Sequence, residues 1–480
     1  MLSRRLSALE ARGEVLSVTA LKPQRPPADQ NAVLVLMSLT NRLKSVLTNS
    51  SAYPPSLRFA APGKAILTAR LKEWSFDGKA TFDWPQIEHD LADAEEALAV
   101  MRSAAERPAF DSGFDYRKGF VDFQLGPVVV NVKRAVQGLN IATLRDLREG
   151  HLDAANSNLC ALVRLAVNQK PEPLVISQLV RQACVAIAFN VTWQALQTPG
   201  WADAQLAALQ SAWSACDLPG DMGKAFEMER AMLLDFYRQI GASRATLDRV
   251  ISQREDGELG ELMGSLPTQG FWLHYVHLPV WRMAWIDQDA LRSLEQWEVA
   301  IDQERLVRAK SWAALPGRST GDGPVESMPW MGLFQGREQL GWYDRLRYLF
   351  SAESFAITDA LLRKTLFIQT QQQMVLTAIA VARYRVLHGK EPSDLNALVP
   401  GLLPALPRDW MNGETLRYRL RPGGGFLVYS VGEDGKDDNG DPTPSKPEKK
   451  YRQLGDGRDA VWPIAASEAE AQAAMKAKNE

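Results

Sequence analysis

The chain is short of cysteine, of long apolar runs and of any charge bias, and each shortage narrows what it can be. Its 480 residues include three cysteines, Cys160, Cys184 and Cys216, all in helical patterns and none in a CxxC pair or a Cys/His cluster. The odd count argues against a disulfide framework. The three read as buried thiols that behave as small hydrophobes. A Cys160–Cys184 bridge between adjacent helices stays open for an oxidising compartment. No stretch reaches the roughly 18 apolar residues of a membrane-crossing helix. The best runs, Ala32–Leu39 and Val375–Ala382, are short and flanked by polar residues. The opening MLSRRLSALEARGE mixes charges at helical spacing and lacks the apolar centre of a signal peptide. Either the protein is cytoplasmic or an export segment precedes Met1. Lys+Arg 55 against Asp+Glu 57 leaves a net charge of −2. Bulk electrostatics therefore offers no footing for nucleic acid or anionic lipid.

Apolar residues make up 46% of the chain, enough to bury a large core, and their periodicity is mostly helical. A polar hinge with Pro23, Pro26 and Pro27 separates a first helix from a second, for which Asp29 is the expected cap. After Pro85, the residues Ile87, Leu91, Ala94, Leu98, Met101 and Ala105 form one stripe at spacings of four and three, which predicts a single helix of a bundle. From about 125 to 255, Gly and Pro punctuate helix after helix without a shared repeat consensus. Seven of the 14 tryptophans follow at 272, 281, 285, 297, 312, 330 and 342. Trp281 and Trp285 are expected to share a helix face. A long helix is expected over about 353–388, stopped by Gly389, with Ser393 capping a short helix after it.

After Pro407 the apolar period becomes two. Leu416, Tyr418 and Leu420, then GGG at 423–425, then Phe426, Val428 and Ser430, spell a β-hairpin. Ala460–Ile464 is a candidate third strand, and 466–480 is expected to fray. The expected fold is mainly α, a multi-helix bundle or irregular solenoid followed by a small α+β module with an antiparallel sheet. The expected division is 1–125, 126–350, 351–464 and a tail over 465–480.

The sequence holds few candidates for catalysis. The five histidines are His89, His151, His274, His277 and His388. His274 and His277 form an HxxH, without the glutamate and longer spacing of a zinc-protease HExxH. GRSTG at 317–321 places Ser319 in a GxSxG, but in a Gly/Pro loop rather than a strand-to-helix elbow. Carboxylate pairs such as Glu227/Glu229, Asp287/Asp289 and Glu295/Glu298 are ordinary on helix surfaces. No phosphate-binding glycine loop is present. The tryptophan-rich stretch reads as packing between helices, with a partner-binding surface as the sharper alternative.

Residues of about 372–464 resemble the globular part of the major pseudopilin of type II secretion. The run ARYRVLHGKEPSDLNALV, then LPRDWMNGETLRYRL, then GFLVYSVGEDGKDDNGD and a late DAVW follows that family's order of helix, turn motif, hairpin, acidic loop and final aspartate. The preceding part also looks like uncharacterised bacterial envelope proteins with a large helical body. The resemblance implies a structural Ca²⁺ held by Asp434, Asp437, Asp441 and Asp459, a periplasmic or membrane-associated location, and no filament role, since the family's leader and hydrophobic helix are missing. Hard oxygen ligands at this spacing suit Ca²⁺. An overlapping EF-hand spacing from Asp437 to Glu448 fails at Pro442, where a glycine is required. The expected function is a non-enzymatic envelope or secretion-associated scaffold that binds a protein partner. The alternative is a hydrolase-type enzyme with a site assembled from scattered residues in 265–345.

Overall fold

The computed structural model describes residues 1–39, 57–75, 81–122, 128–167, 172–255, 272–316, 340–352, 358–444 and 451–476. It is mainly α, ending in a small α+β module. The N-terminal helices are α1 (Leu2–Ala11), α2 (Val18–Leu21) and α3 (Ala32–Ser38). The expected cap Asp29 instead sits in a 3-10 turn, and Asn31 caps α3 by accepting from the Val33 N–H at 3.0 Å. The stripe after Pro85 is buried throughout, as its spacing requires, but the chain breaks at Asp93–Ala94 into α4 (Trp84–Ala92) and α5 (Glu95–Ala105). Asp83, one residue before α4, caps it by accepting from Gln86 N–H.

The body is α6 (Val128–Glu149), α7 (Leu152–Val167), α8 (Val175–Leu196), α9 (Asp203–Ser214), α10 (Leu218–Ala242) and α11 (Arg244–Glu255). A single α turn, α12 (Leu278–Val280), lies between two π-helical turns, Leu273–His277 and Trp281–Trp285. The chain continues as α13 (Ile286–Ala309), α14 (Trp342–Arg347) and α15 (Thr358–His388). Helices α6, α7 and α8 pack on one another, α9 lies against α7 and α15, and α10 lies against α13 and α15.

One helix corrects the reading of apolar runs. By length and composition α8 could cross a membrane, yet two thirds of its most apolar window is buried inside the fold. Several of its buried polar side chains are paired across the fold, although Gln178 Oε1, Gln182 Oε1 and Arg181 Nε have no hydrogen-bond partner. Gln182 donates to Thr365 Oγ at 2.8 Å, Gln194 accepts from the Thr68 N–H at 2.9 Å, and Thr192 Oγ accepts from Trp213 Nε1 at 3.1 Å. Such bonds suit a helix enclosed by others, because an unmade buried polar group costs about 1–3 kcal/mol.

Helix α15 carries the same logic into the joint with the C-terminal module. Gln369 accepts from Leu218 N–H and donates to the Cys216 carbonyl, and Gln372 donates to the Trp213 carbonyl. Gly389 takes φ +73° at its C-terminus. Asp394, not Ser393, caps the following 3-10 turn by accepting from Asn396 N–H.

Three small sheets complete the fold. β1 (Phe59–Ala61) and β2 (Lys64–Ala65) form one hairpin, and β3 (Glu73–Ser75) and β4 (Thr81–Asp83) another. β5 (Arg417–Leu420) and β6 (Phe426–Ser430) form the predicted antiparallel hairpin, with Tyr418 opposite Val428. The third strand splits. β7 (Ala460–Val461) extends the hairpin sheet, whereas β8 (Ile464–Ala465) pairs in parallel with β2 near the other chain end. The tail expected to fray carries α16 (Glu468–Lys476), anchored by Glu470 to Lys64 at 2.5 Å. The largest core joins α3–α9, α15 and the hairpin sheet, so residues of the module such as Val428 and Trp462 share a core with the body. A second core, around Trp281, Trp297, Phe226 and Phe350, lies between α10, α11 and α13.

Candidate functional site

The tryptophan-rich segment divides by burial. Trp281, Trp297 and Trp312 are buried in the second core. Trp281 does not share its exposure with Trp285. Its indole N–H donates to the Arg347 carbonyl at 3.0 Å, while Trp285 is half-buried. The turn between them is π-helical, which realigns the side chains that an α-helix would stack four apart.

The outward side of the same segment carries a connected row of rings. Trp272 stacks on His277 with centroids 5.1 Å apart, and His277 lies 6.4 Å from Trp285. Trp285 meets Tyr343 edge-on at 5.8 Å, and Tyr343 meets Trp342 at 5.9 Å. Trp342 is 77% exposed, Met283 83% and Tyr275 65%. Trp272, Val276 and Val280 are exposed beside them. Large apolar side chains gathered this way are uncommon on a surface that stays wet, and mark contact sites. Arg345 and Arg347 lie in the last turn of α14, Arg345 donating to the Leu340 carbonyl at 2.8 Å and Arg347 set over the Tyr348 ring.

The two histidines belong to this architecture. His277 is buried, and its Nε2–H donates to the Leu346 carbonyl at 2.7 Å, tying the π turn to α14. His274 Nδ1 lies 3.8 Å from Asp248 on α11. The pair thus faces different partners. Ser319 lies outside the described residues. Of the carboxylate pairs, Asp289 is fully buried and accepts from the backbone N–H groups of Phe350 and Ser351, both at 2.9 Å. Glu298 pairs with Arg5. Glu229 accepts from Val175 N–H at 2.7 Å and so caps α8, and Glu227 pairs with Arg305.

The acidic loop ties three of its four predicted carboxylates into one hydrogen-bonded framework, yet no three of the four bring ligand oxygens within 4.8 Å of one another. Asp459 is fully buried at the start of β7, and its Oδ2 accepts from the N–H groups of Gly440 and Asp441 at 2.6 and 3.2 Å. Its Oδ1 is buried with no hydrogen-bond partner. Burial, with Asp437 nearby, pushes its pKa up to about 6. Asp437 accepts from Tyr429 O–H and Asn439 N–H and lies 3.3 Å from Arg417. Asp441 accepts from Thr443, with Arg458 at 3.8 Å. Asp434 only accepts from Lys436 N–H within its own turn. The loop lies close over the hairpin. A Cβ on Gly440 would sit 2.7 Å from the Leu427 side chain, and one on Gly432 2.8 Å from the Arg458 carbonyl. An orphaned carboxylate oxygen is donor chemistry of the kind a hard cation such as Ca²⁺ takes. Arg417 and Arg458 already offset part of the loop's charge.

Two residues carry more than the sequence reading gave them. Asp409, in the RDWMNG turn, is fully buried and accepts from Met411 N–H, Ser430 O–H and Val431 N–H at 2.9–3.1 Å. It locks that turn onto the hairpin, and the motif's position was its only signal. Glu172, before α8, is buried with no cation partner among the described residues. No motif marks it. Among the described residues, one group of three ligand-type side chains, Asp146, Glu149 and His151, has its atoms within 4.8 Å of one another. His151 pairs there with Glu149, and Asp146 is taken up by Arg145 and Asn158.

No family model matches the chain, and neither does any curated protein or solved structure.

Proposed function

We propose that the chain is a non-enzymatic scaffold of the bacterial envelope or secretion apparatus that docks a protein partner on the aromatic surface around Trp272, Tyr343 and Trp342. The observation that carries this reading is the set of exposed rings, Trp272, Tyr275, Trp342 and Tyr343, beside the buried His277 and half-buried Trp285 on the two π turns. A rigid aromatic platform binds with little loss of side-chain freedom, and Trp, Tyr and Arg dominate binding energy at interfaces. The envelope location rests on the resemblance of 372–464 to pseudopilins. In this reading the C-terminal module holds a structural Ca²⁺ through Asp459, Asp437 and Asp441, with Asp434 at the loop's entrance. The support is Asp459 Oδ1, a buried oxygen without a donor. The hydrolase alternative draws less support, since His277 bonds the Leu346 carbonyl and the carboxylate found near His274 among the described residues is Asp248, at 3.8 Å.

The test is photo-cross-linking in native cells from a reactive residue at position 342. The expected result is one discrete adduct with an envelope protein, lost when Tyr343 and Met283 are changed to serine. An adduct that survives those changes, or none at all, contradicts the docking surface.

A further inference from the structure

A cleft of about 1030 Å³ is lined by none of the residues of the aromatic surface. Its walls are the Pro-rich hinge after α2, the segment Pro108–Arg117, the approach to α8 and the outer face of α10. That volume is of the size that holds small organic ligands.

Glu172 lines the cleft and is only 3% exposed. Its carboxylate accepts from Ser112 N–H at 2.9 Å, from Ser112 O–H, and from Ser177 O–H at 3.4 Å. All three donors are neutral, and no Lys, Arg or His pairs with it among the described residues. A buried carboxylate without a cation is costly unless a counter-charge arrives. Asp111 lines the same cleft, close enough for its charge to raise the Glu172 pKa, which burial already pushes up to about 7. Among the described residues the ion-pair partner of Asp111 is Arg25, at 3.9 Å and largely in solvent. Tyr116 lines the same cleft, and its phenol is held above its usual range, first by burial and then by the charges of Glu172 and Asp111. Phe114 meets Tyr116 edge-on at 5.0 Å, and Phe110 continues the wall. Other acids of the cleft are already paired, Asp221 with Arg181 and Lys224, and Glu227 with Arg305.

We propose that this cleft binds an organic cation, an alkylammonium or guanidinium group seated between Glu172 and Asp111, with its carbon chain against Phe110, Phe114 and Tyr116. Two carboxylates supply the counter-charge and further acceptor lone pairs for N–H donors. The rings supply apolar contact and attract a cation to their faces. A bare metal ion would leave the aromatic walls and most of the volume unused.

The experiment is calorimetric titration of the full chain with agmatine and with spermidine. Saturable binding is expected, weakened about tenfold or more in Glu172→Gln and in Asp111→Asn, because each loses a charge-assisted hydrogen bond. Melting curves establish that the variants are folded. Should Glu172→Gln fail to fold, Asp111→Asn, whose carboxylate reaches the surface, carries the test. No saturable binding of either probe at millimolar concentration overturns the proposal. So does undiminished binding in folded variants, or a site that takes Mg²⁺ or Ca²⁺ and neither amine.

Discussion

The inner and outer faces of the segment from Trp272 to Tyr343 use one residue type for two purposes. Inward, Trp281 and Trp297 fill the space between α10, α13 and Phe350, with centroid contacts of 5.4 and 5.5 Å to Phe350 and Phe226. Outward, Trp272 and Trp342 meet other rings of the surface row and remain 43% and 77% exposed. The inward rings contribute stability through contacts on every side. The outward rings gain little from folding, so their contribution has to come from something that covers them.

That contrast predicts a steep gradient of effects. Trp297→Ala should destabilise the chain by about 3–5 kcal/mol, the range for emptying a large aromatic from a packed core. Denaturant unfolding reads this directly, and a loss below about 1 kcal/mol would mean the second core is loosely packed. A pH titration comes next in size. Glu172 and Glu304 are almost fully buried, and both have pKa values raised from near 4.5 to about 7, chiefly by burial. The folded state therefore holds protons that the unfolded chain has released. Their contribution is complete below about pH 4.5 and is lost as pH rises through about 7, roughly 3 kcal/mol for each group. Glu304 has Arg308 at 3.3 Å, so stability rising across that window instead would place Glu172 too in contact with a cation. A smaller effect is expected at the acidic loop. Removing Ca²⁺ with a chelator should lower the melting temperature by a few degrees, about 1 kcal/mol or more of linkage. Asp437→Ala should abolish the difference between chelator and excess Ca²⁺, whatever it does to stability itself. Identical melting in chelator and in Ca²⁺ leaves Asp459 as a backbone clamp alone.

Much of the fold was legible because local patterns set it. The stripe from Ile87 to Ala105, the stop at Gly389 and the hairpin around Gly423–Gly425 follow from spacing and from backbone conformations that glycine adopts easily. Other features depend on partners far along the chain, which no window of sequence contains. β8 leaves the hairpin sheet to pair with β2 some 400 residues earlier, and α16 is held to Lys64. The break at Asp93–Ala94 and the π turns around α12 are local, yet the apolar spacing runs through them unchanged. At the candidate site the sequence named the aromatic stretch and the loop aspartates, which cluster. It passed over Asp409 and Glu172, isolated acids whose burial is a property of the assembled fold.

The most direct test of the account is a comparison of Trp342→Ser/Tyr343→Ser with the unaltered chain. Unfolding stability should stay within about 0.5 kcal/mol, as for surface positions generally, while affinity for the cross-linked envelope protein falls about a hundredfold, the loss expected at a hot spot. A variant that unfolds as readily as Trp297→Ala, or that keeps its affinity, would contradict a surface built for docking.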